Sequence, residues 1–281
     1  MPTKSDLVIT AAGGYQHWGQ VRHFAVSLER SGFAGDKVVL ADRLTPFISD
    51  CLRNRGFEVV PFTNPPNTPF VIKGRFEPLL KFLGNHAHKY RYIIWADMGD
   101  VIFQSNPSTW LTENAYKHEI IAARECWRVC DEPQFNIPWM QATAPDQYEF
   151  LKDLEILCGG TVAGSSRLMY QLMSRIYSTV SENSAANDQA ALTCLLHTTF
   201  SAYTDIPPMV EGWVATCSAF QTEGFNSLIG KPAKELTDRV PIFDLKQGLV
   251  LTPDGSKPFV MVHQFNRDIR WCQIVSEKYK W

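Results

Sequence analysis

Residues Tyr90–Pro107 read YRYIIWADMGDVIFQSNP. The apolar run Tyr92-Ile93-Ile94-Trp95-Ala96, rich in β-branched and aromatic side chains, predicts a buried strand. It stops at Asp97. Met98 and Gly99 follow, then a second acid, Asp100, and a short apolar run, Val101-Ile102-Phe103, before Asn106-Pro107. Unpaired charge is costly to bury, so two carboxylates at the tip of a core strand need a reason. Ligands of open α/β sheets sit at the C-terminal ends of the strands. Two acids across a Gly-bearing turn can converge on one divalent cation, Mg²⁺ or Mn²⁺. The competing reading is a plain turn, with Asp97 as its cap and Asp100 solvated.

N-terminal to this stretch, strands and helices alternate. Asp6–Ala12 is an apolar strand that runs into Gly13-Gly14, where backbone can approach a ligand closely. Val21–Ser31 has helical spacing through Phe24, Ala25 and Leu28. Lys37–Ala41 is a strand ending at Asp42, Phe47–Arg55 a helix stopped by Gly56, and Phe57–Phe62 a third strand. This order predicts an α/β, Rossmann-like, doubly wound sheet, an architecture that often binds nucleotides. Neither a Gly-x-Gly-x-x-Gly after the first strand nor a Walker A sequence occurs, which argues against a dinucleotide-binding dehydrogenase and a P-loop enzyme. After the Pro/Asn loop Thr63–Pro69, Lys73-Gly74-Arg75-Phe76 opens a helix through Leu79, Leu80, Phe82 and Leu83, with Pro78 in its first turn. Two cations at a helix start oppose the macrodipole, which suits a bound anion, and Arg75 can grip phosphate with two donors. A solvated helix end is the alternative.

C-terminal to it, Trp110–Lys117 reads as a helix and Glu119–Arg124 as a strand. Cys126–Tyr148, with Trp127, Trp139, Pro133, Pro138 and Pro145, lacks periodicity and is expected to be a long functional loop. Its flat aromatic faces would suit sugar rings, making it a candidate acceptor loop; the alternative is a satellite core. Cys158–Gly164 packs three glycines around Thr161-Val162, a strand that something approaches closely. Ser165–Tyr177 is an amphipathic helix. Asn187-Asp188-Gln189 opens another, with Asn187 or Asp188 as its N-cap. Phe259–Val262 is the last strand and ends in His263; Glu277–Trp281 is expected to be peripheral.

The chain has 281 residues, 45% of them hydrophobic, enough for one large α/β domain with insertions. A net charge of −2 with scattered basic residues gives no nucleic-acid footprint. No run is long enough to span a membrane, and Met1–Asp6 has no apolar signal segment. The seven cysteines lack zinc-site spacing and read as reduced thiols of a cytoplasmic protein.

The turn Asp97-Met98-Gly99-Asp100, followed by Val-Ile-Phe-Gln-Ser-Asn-Pro, resembles the D-x-D region of GT-A glycosyltransferases in a D-x-x-D form. The glycine strand, the Asp188-Gln189 pair and the strand-ending His263 follow in the order of the family-8 type. The resemblance spans Leu7 to Arg267. It implies a single GT-A catalytic domain over 1–281, with a nucleotide-binding half (1–107) and an acceptor-binding half (108–281). The implied activity is metal-dependent transfer of a sugar from a nucleotide-diphosphate sugar, UDP-sugar by preference, to a glycan or other hydroxyl-bearing acceptor. Asp97, Asp100 and His263 would hold Mn²⁺ or Mg²⁺, with Asp97 also near the ribose. Thr10, Ala11 and Ala12 would lie under the nucleoside and Asp42 near the base or ribose. Arg75 and Arg267 would meet the sugar or diphosphate, and Gly159 and Gly160 would flank the donor sugar. Asp188 and Gln189 would point at that sugar as the catalytic pair. Cys158 stands where the family carries a polar residue. Retention is expected; an inverting enzyme would need a carboxylate base, Glu155, Asp153 or Asp188. Other classes with strand-end acids are a phosphohydrolase, a nucleotidyltransferase and a non-catalytic nucleotide-sugar-binding protein. A dehalogenase-type phosphatase would carry its acids on an early strand, and a nucleotidyltransferase would show Lys or Arg within Ala11–Gly19; neither holds here.

Overall fold

The computed structural model describes residues 4–114, 119–217, 241–267 and 269–280. Strand β1 (Ser5–Gly13), helix α1 (Arg22–Arg30), β2 (Asp36–Asp42), α2 (Pro46–Arg53) and β3 (Phe57–Phe62) open the chain. Helix α3 (Phe76–His86) leads to β4 (Tyr90–Ala96), and β5 (Val101–Phe103) follows the acid turn. Next come α4 (Pro107–Asn114), β6 (Ile120–Arg128), α5 (Asn136–Thr143), α6 (Tyr148–Leu151), β7 (Glu155–Ser165), α7 (Ser166–Glu182) and α8 (Asp188–His197). The chain continues through β8 (Thr204–Asp205), β9 (Val214–Thr216), β10 (Ile242–Asp244), β11 (Leu249–Leu251), β12 (Met261–His263) and α9 (Ile269–Lys278).

The main sheet has seven strands in the order β3-β2-β1-β4-β7-β6-β8. Strands β1 to β4 run parallel, while β7 is antiparallel to both β4 and β6, so the sheet is mixed. Both faces are covered, as the near-continuous apolar strands require. Along β1, Leu7 and Ile9 face one core with Phe76, Leu79 and Phe82 of α3 and Leu172 of α7; Val8 faces the other with Phe24 of α1 and Leu52 of α2. The doubly wound α/β fold expected from the sequence is the one found. Between β1 and β4 the connections leave in opposite directions, which opens a crevice at their C-terminal ends.

A second sheet, β5-β12-β9, builds on that crevice. Strand β12 pairs antiparallel with β5, setting His263 opposite Val101, the residue after Asp100. The amide of Gln264 donates to the Asp100 carbonyl at 2.8 Å and that of Asp97 to the Gly160 carbonyl at 2.9 Å. Two distant segments, β12 and β7, are thus stitched to one turn.

Two expectations are corrected. Cys126–Tyr148 is not an irregular loop: it holds the end of β6, two 3-10 turns, α5 and the start of α6. Trp127 and Met140 are buried with Leu151 and Ile156 in a satellite core, and Trp139 packs against it, so these rings serve packing. The C-terminal stretch Glu277–Trp281 is not wholly peripheral either: Tyr279 is buried and its hydroxyl donates to the Phe103 carbonyl at 3.3 Å, while Glu277 and Lys280 are exposed. The end of the expected helix after Trp110 (115–117) and Trp281 lie outside the described residues. Among the described residues, no helix is long and apolar enough to cross a membrane.

Candidate active site

A cleft of about 520 Å³ opens at the crevice, within the size range of small-molecule sites. Ala11, Tyr15, Phe70, Phe265, Arg75 and the turn Asp97–Asp100 line it. One oxygen each of Asp97 and Asp100 and one ring nitrogen of His263 lie within 4.8 Å of one another. The backbone explains this convergence. Asp97 follows β4, Asp100 precedes β5, and the β5–β12 register delivers His263. Gly160 of β7, whose carbonyl accepts from the Asp97 amide, completes the arrangement by having no side chain: a Cβ there would lie 2.4 Å from His263 Nε2 and 3.1 Å from Asp97 Oδ2. Gly99 makes room similarly for the Tyr15 hydroxyl, which a Cβ would meet at 2.6 Å.

The electrostatics are those of crowded negative charge. Burial raises the Asp97 carboxyl above its ordinary range; Arg75 opposes this and Asp100 adds to it. Burial acts the same way on Asp100, but the charge and hydrogen bond of His263, with Arg267 and Arg75, hold it below that range. Burial opposes protonation of His263, yet Cys158 and Asp100 outweigh it and lift the imidazole well above its usual value. Tyr15 is pushed up to about 12, first by burial and then by Asp97 and Asp100. Two carboxylate oxygens and an imidazole nitrogen make a donor set that fits Mn²⁺ or Mg²⁺, and a cation would oppose the burial and the Asp100 charge that raise Asp97.

Arg75 joins this cluster to α8. Its guanidinium donates to Asp97 Oδ1 at 2.7 Å and to Asp188 Oδ2 at 2.6 Å, and lies over the Trp95 ring at 5.2 Å. Arg75 is buried, and both carboxylates hold it above its usual value against the effect of burial. The anion it meets at the start of α3 is thus a pair of carboxylates of this chain. Asn187 is the cap of α8, its side chain accepting from the amides of Gln189 at 2.9 Å and Ala190 at 3.3 Å. Asp188 is thereby released from capping and reaches Arg75.

The other expected residues scatter. Ala11 lines the cleft, whereas Thr10 and Ala12 are fully buried beneath it. Asp42 is fully buried at the end of β2, accepting from the Asn64 amide at 3.2 Å and from Arg43, and does not line the cleft. Gly159 donates its amide to Gln189 Oε1 at 3.3 Å. Arg267 is exposed beside the cleft-lining Phe265 and Asn266. Glu155 is paired with Arg124 at 3.0 Å, and Asp153 lies near the Cys130 thiol. Neither stands at the cleft.

Sequence reasoning missed Glu125. It fell between the strand expected to end at Arg124 and the loop expected to begin at Cys126, although a lone acid next to a buried strand was a signal. Burial pushes its carboxyl up to about 7; His263 and a hydrogen bond from Gln189 pull it down, and Glu132 adds to the rise. Gln189 also reaches Asn136, which donates to Glu132, so three elements share one buried polar network. A carboxyl raised in the native state favours folding when protonated. That stability is complete below the unfolded value of 4.5 and is lost as pH rises through about 7. A Glu125→Gln protein should match wild type at pH 4.5 and exceed its stability at pH 8 by up to about 3 kcal/mol. Urea denaturation at the two pH values checks this; an equal difference at both would refute a titrating Glu125.

No known family profile matches the chain, and no curated protein matches its sequence. Solved structures do match its fold. The WbbM bifunctional glycosyltransferase in its apo form aligns with a TM-score of 0.59 at 11% identity over 99% of this chain and 50% of the other. The chain thus spans half the length of that protein. The galactosyltransferase LgtC in complex with donor and acceptor sugar analogs aligns with a TM-score of 0.58 at 11% identity, over 96% of this chain and 95% of LgtC. An active-site mutant of LgtC aligns at 0.56 and 10% identity, with the same coverage. At this level of identity the likeness establishes a shared GT-A-type fold.

Proposed function

We propose that the chain is a metal-dependent glycosyltransferase that moves a sugar from a nucleotide-diphosphate sugar, UDP-sugar by preference, to a hydroxyl of a glycan or other acceptor. The observation that carries this reading is the convergence of the buried His263 on Asp97 and Asp100, the two acids that line the switch-point cleft. Likeness of fold to proteins described as glycosyltransferases, one of them holding donor and acceptor analogs, supports it. Residues 1–107 supply the nucleotide half and 108–281 the acceptor half. The setting is the cytoplasm, with thiols reduced.

In this reading Asp97, Asp100 and His263 hold Mn²⁺ or Mg²⁺, which supplies Lewis-acid neutralisation of the diphosphate leaving group. The rest is done by the chain itself. Arg75 locks Asp97 and Asp188 into one frame, so the end of β4 and the start of α8 keep a fixed separation. One Asp188 oxygen is held by Arg75, and the other accepts a hydroxyl of the donor sugar. Gly159 and Gly160 let the sugar approach β7. Arg267 brings positive charge to the diphosphate. Retention of configuration goes with Asp188 and Gln189 at the sugar. A second, inverting reading would need Glu125 as its base; its carboxyl is pushed up to about 7 by burial, but it is buried beside Gln189 and does not line the cleft. The anomeric configuration of the product separates the two.

The test is calorimetric titration of UDP, with GDP as control, with and without Mn²⁺, into wild type and Asp100→Ala. UDP should bind only with Mn²⁺ present, and Asp100→Ala should lose that binding. If the folded wild-type protein takes up neither nucleotide with Mn²⁺ present, the transferase reading falls.

A further inference from the structure

His263 lies along one face of β7 and turns its two ring nitrogens to different partners. Nε2 faces the acid turn, 3.5 Å from Asp100 Oδ1, over the space where Gly160 has no side chain. Nδ1 faces Cys158, its Sγ 2.9 Å away. Residues 158 and 160 share a strand face, so one strand supplies both the sulfur and the gap. Cys158 is 1% exposed, and the Thr161 hydroxyl donates to its sulfur at 3.6 Å.

An imidazole that gives Nε2 to a cation carries its proton on Nδ1, and that N–H needs an acceptor. Metal-binding histidines commonly find one in a carboxylate or a backbone carbonyl. Here the atom at hydrogen-bond distance is a thiol sulfur. The sulfur touches the nitrogen turned away from the acids, so it stands behind the ligand set. We propose that Cys158 is a positioning residue: its sulfur accepts the Nδ1–H hydrogen bond, fixes the His263 tautomer and aims Nε2 at Asp97 and Asp100. This rests on the metal-dependent reading above. It also explains how a chain with cysteine at this place, where a polar residue is expected, keeps a working contact there. The contact runs to the histidine.

The test uses the full chain and Mn²⁺ alone, without nucleotide, following free Mn²⁺ by electron paramagnetic resonance. Cys158→Ala should weaken Mn²⁺ binding about 10–100-fold, and Cys158→Ser, which keeps a shorter acceptor, should lie between it and wild type. His263→Ala serves as the reference for loss of the ligand. A second readout is the tautomer of His263 in the Mg²⁺-loaded protein, read by long-range ¹H–¹⁵N correlation. The signal missing in His263→Ala identifies it among the seven histidines. Wild type should carry the proton on Nδ1, and Cys158→Ala should lose that single tautomer. The proposal is overturned if Cys158→Ala binds Mn²⁺ within about twofold of wild type with the tautomer unchanged, while His263→Ala loses binding. If Cys158→Ala fails to fold, Cys158→Ser is held to the same two readouts, and a wild-type result in both overturns it. If His263→Ala binds Mn²⁺ as wild type does, the metal reading has failed and the positioning role goes with it.

Discussion

A Gly160→Ala protein should fold but bind Mn²⁺ at least about 100-fold more weakly than wild type, a loss near 2.7 kcal/mol. The added methyl would lie 2.4 Å from His263 Nε2, 2.6 Å from its Cε1 and 3.1 Å from Asp97 Oδ2. Such contacts require something to move, and neither neighbour is a loose side-chain end. The imidazole is buried on the central strand of the small sheet with Nδ1 at Cys158, and Asp97 is tethered by Arg75. Overpacking of this kind costs about 1–3 kcal/mol, and here the strain falls on two ligands at once. Gly159→Ala is the control, because its methyl would only reach ordinary contact with Gln189 at 3.4 Å. Mn²⁺ titration of both variants, with near-ultraviolet circular dichroism as the fold check, decides the matter. Wild-type affinity in Gly160→Ala would remove His263 and Asp97 from the ligand set.

Arg75→Met should cost about 3–5 kcal/mol of stability at pH 7, toward the lower end because the Asp97 side chain keeps 28% exposure. Methionine replaces the aliphatic stem and part of the stacking on Trp95, so packing alone does not set this loss. The loss arises because Asp97 and Asp188 would lose the guanidinium that pairs them in a buried pocket, with only His263 left to offset Asp97. The sign with pH follows. Asp97 is already raised while Arg75 pulls it down, so removing Arg75 raises it further. A carboxyl raised in the native state is fully tolerated below its unfolded value of 3.8 and destabilises as pH climbs through the native one. The deficit of the variant should therefore be largest at neutral pH and shrink toward pH 4. Arg75→Lys should not restore it, since one ammonium cannot donate along the two directions of the fork. Chemical denaturation at pH 7 and pH 5 measures both effects. A deficit that does not change with pH would assign the loss to packing.

Much of the fold was legible because strand and helix periods are written locally. Leu7, Val8 and Ile9 are followed by glycines, and Tyr92–Ala96 stops at an acid, so the positions of β1 and β4 needed no partners to be read. The aromatic segment after Cys126 was misread for the opposite reason. Its prolines hide the short period of α5, and whether Trp127 and Trp139 face solvent or core depends on α6 and α8, which sequence proximity does not reveal. The contacts of the candidate site were less legible still. Arg75 reaches Asp97 over 22 residues and Asp188 over 113, and Cys158 meets His263 over 105. The start-of-helix position of Arg75, which lines the cleft, was visible in the sequence, while its carboxylate partners were not. Asp42 read as a ligand contact because a strand-end acid looks alike whether the Asn64 amide or a ribose meets it.

The place of β12 bears on how the protein is made. Both acids of the turn leave the ribosome well before the segment that carries His263, and β5 waits unpaired on its β12 side until then. Synthesis runs from the N-terminal end, so every strand of the large sheet is made before the middle strand of the small one. A nascent chain at that stage presents two carboxylates and no imidazole, a weaker and less selective seat for a cation. On the metal-dependent reading proposed above, tight cation uptake would be a late event of maturation, and a chain truncated before β12 would be released without it.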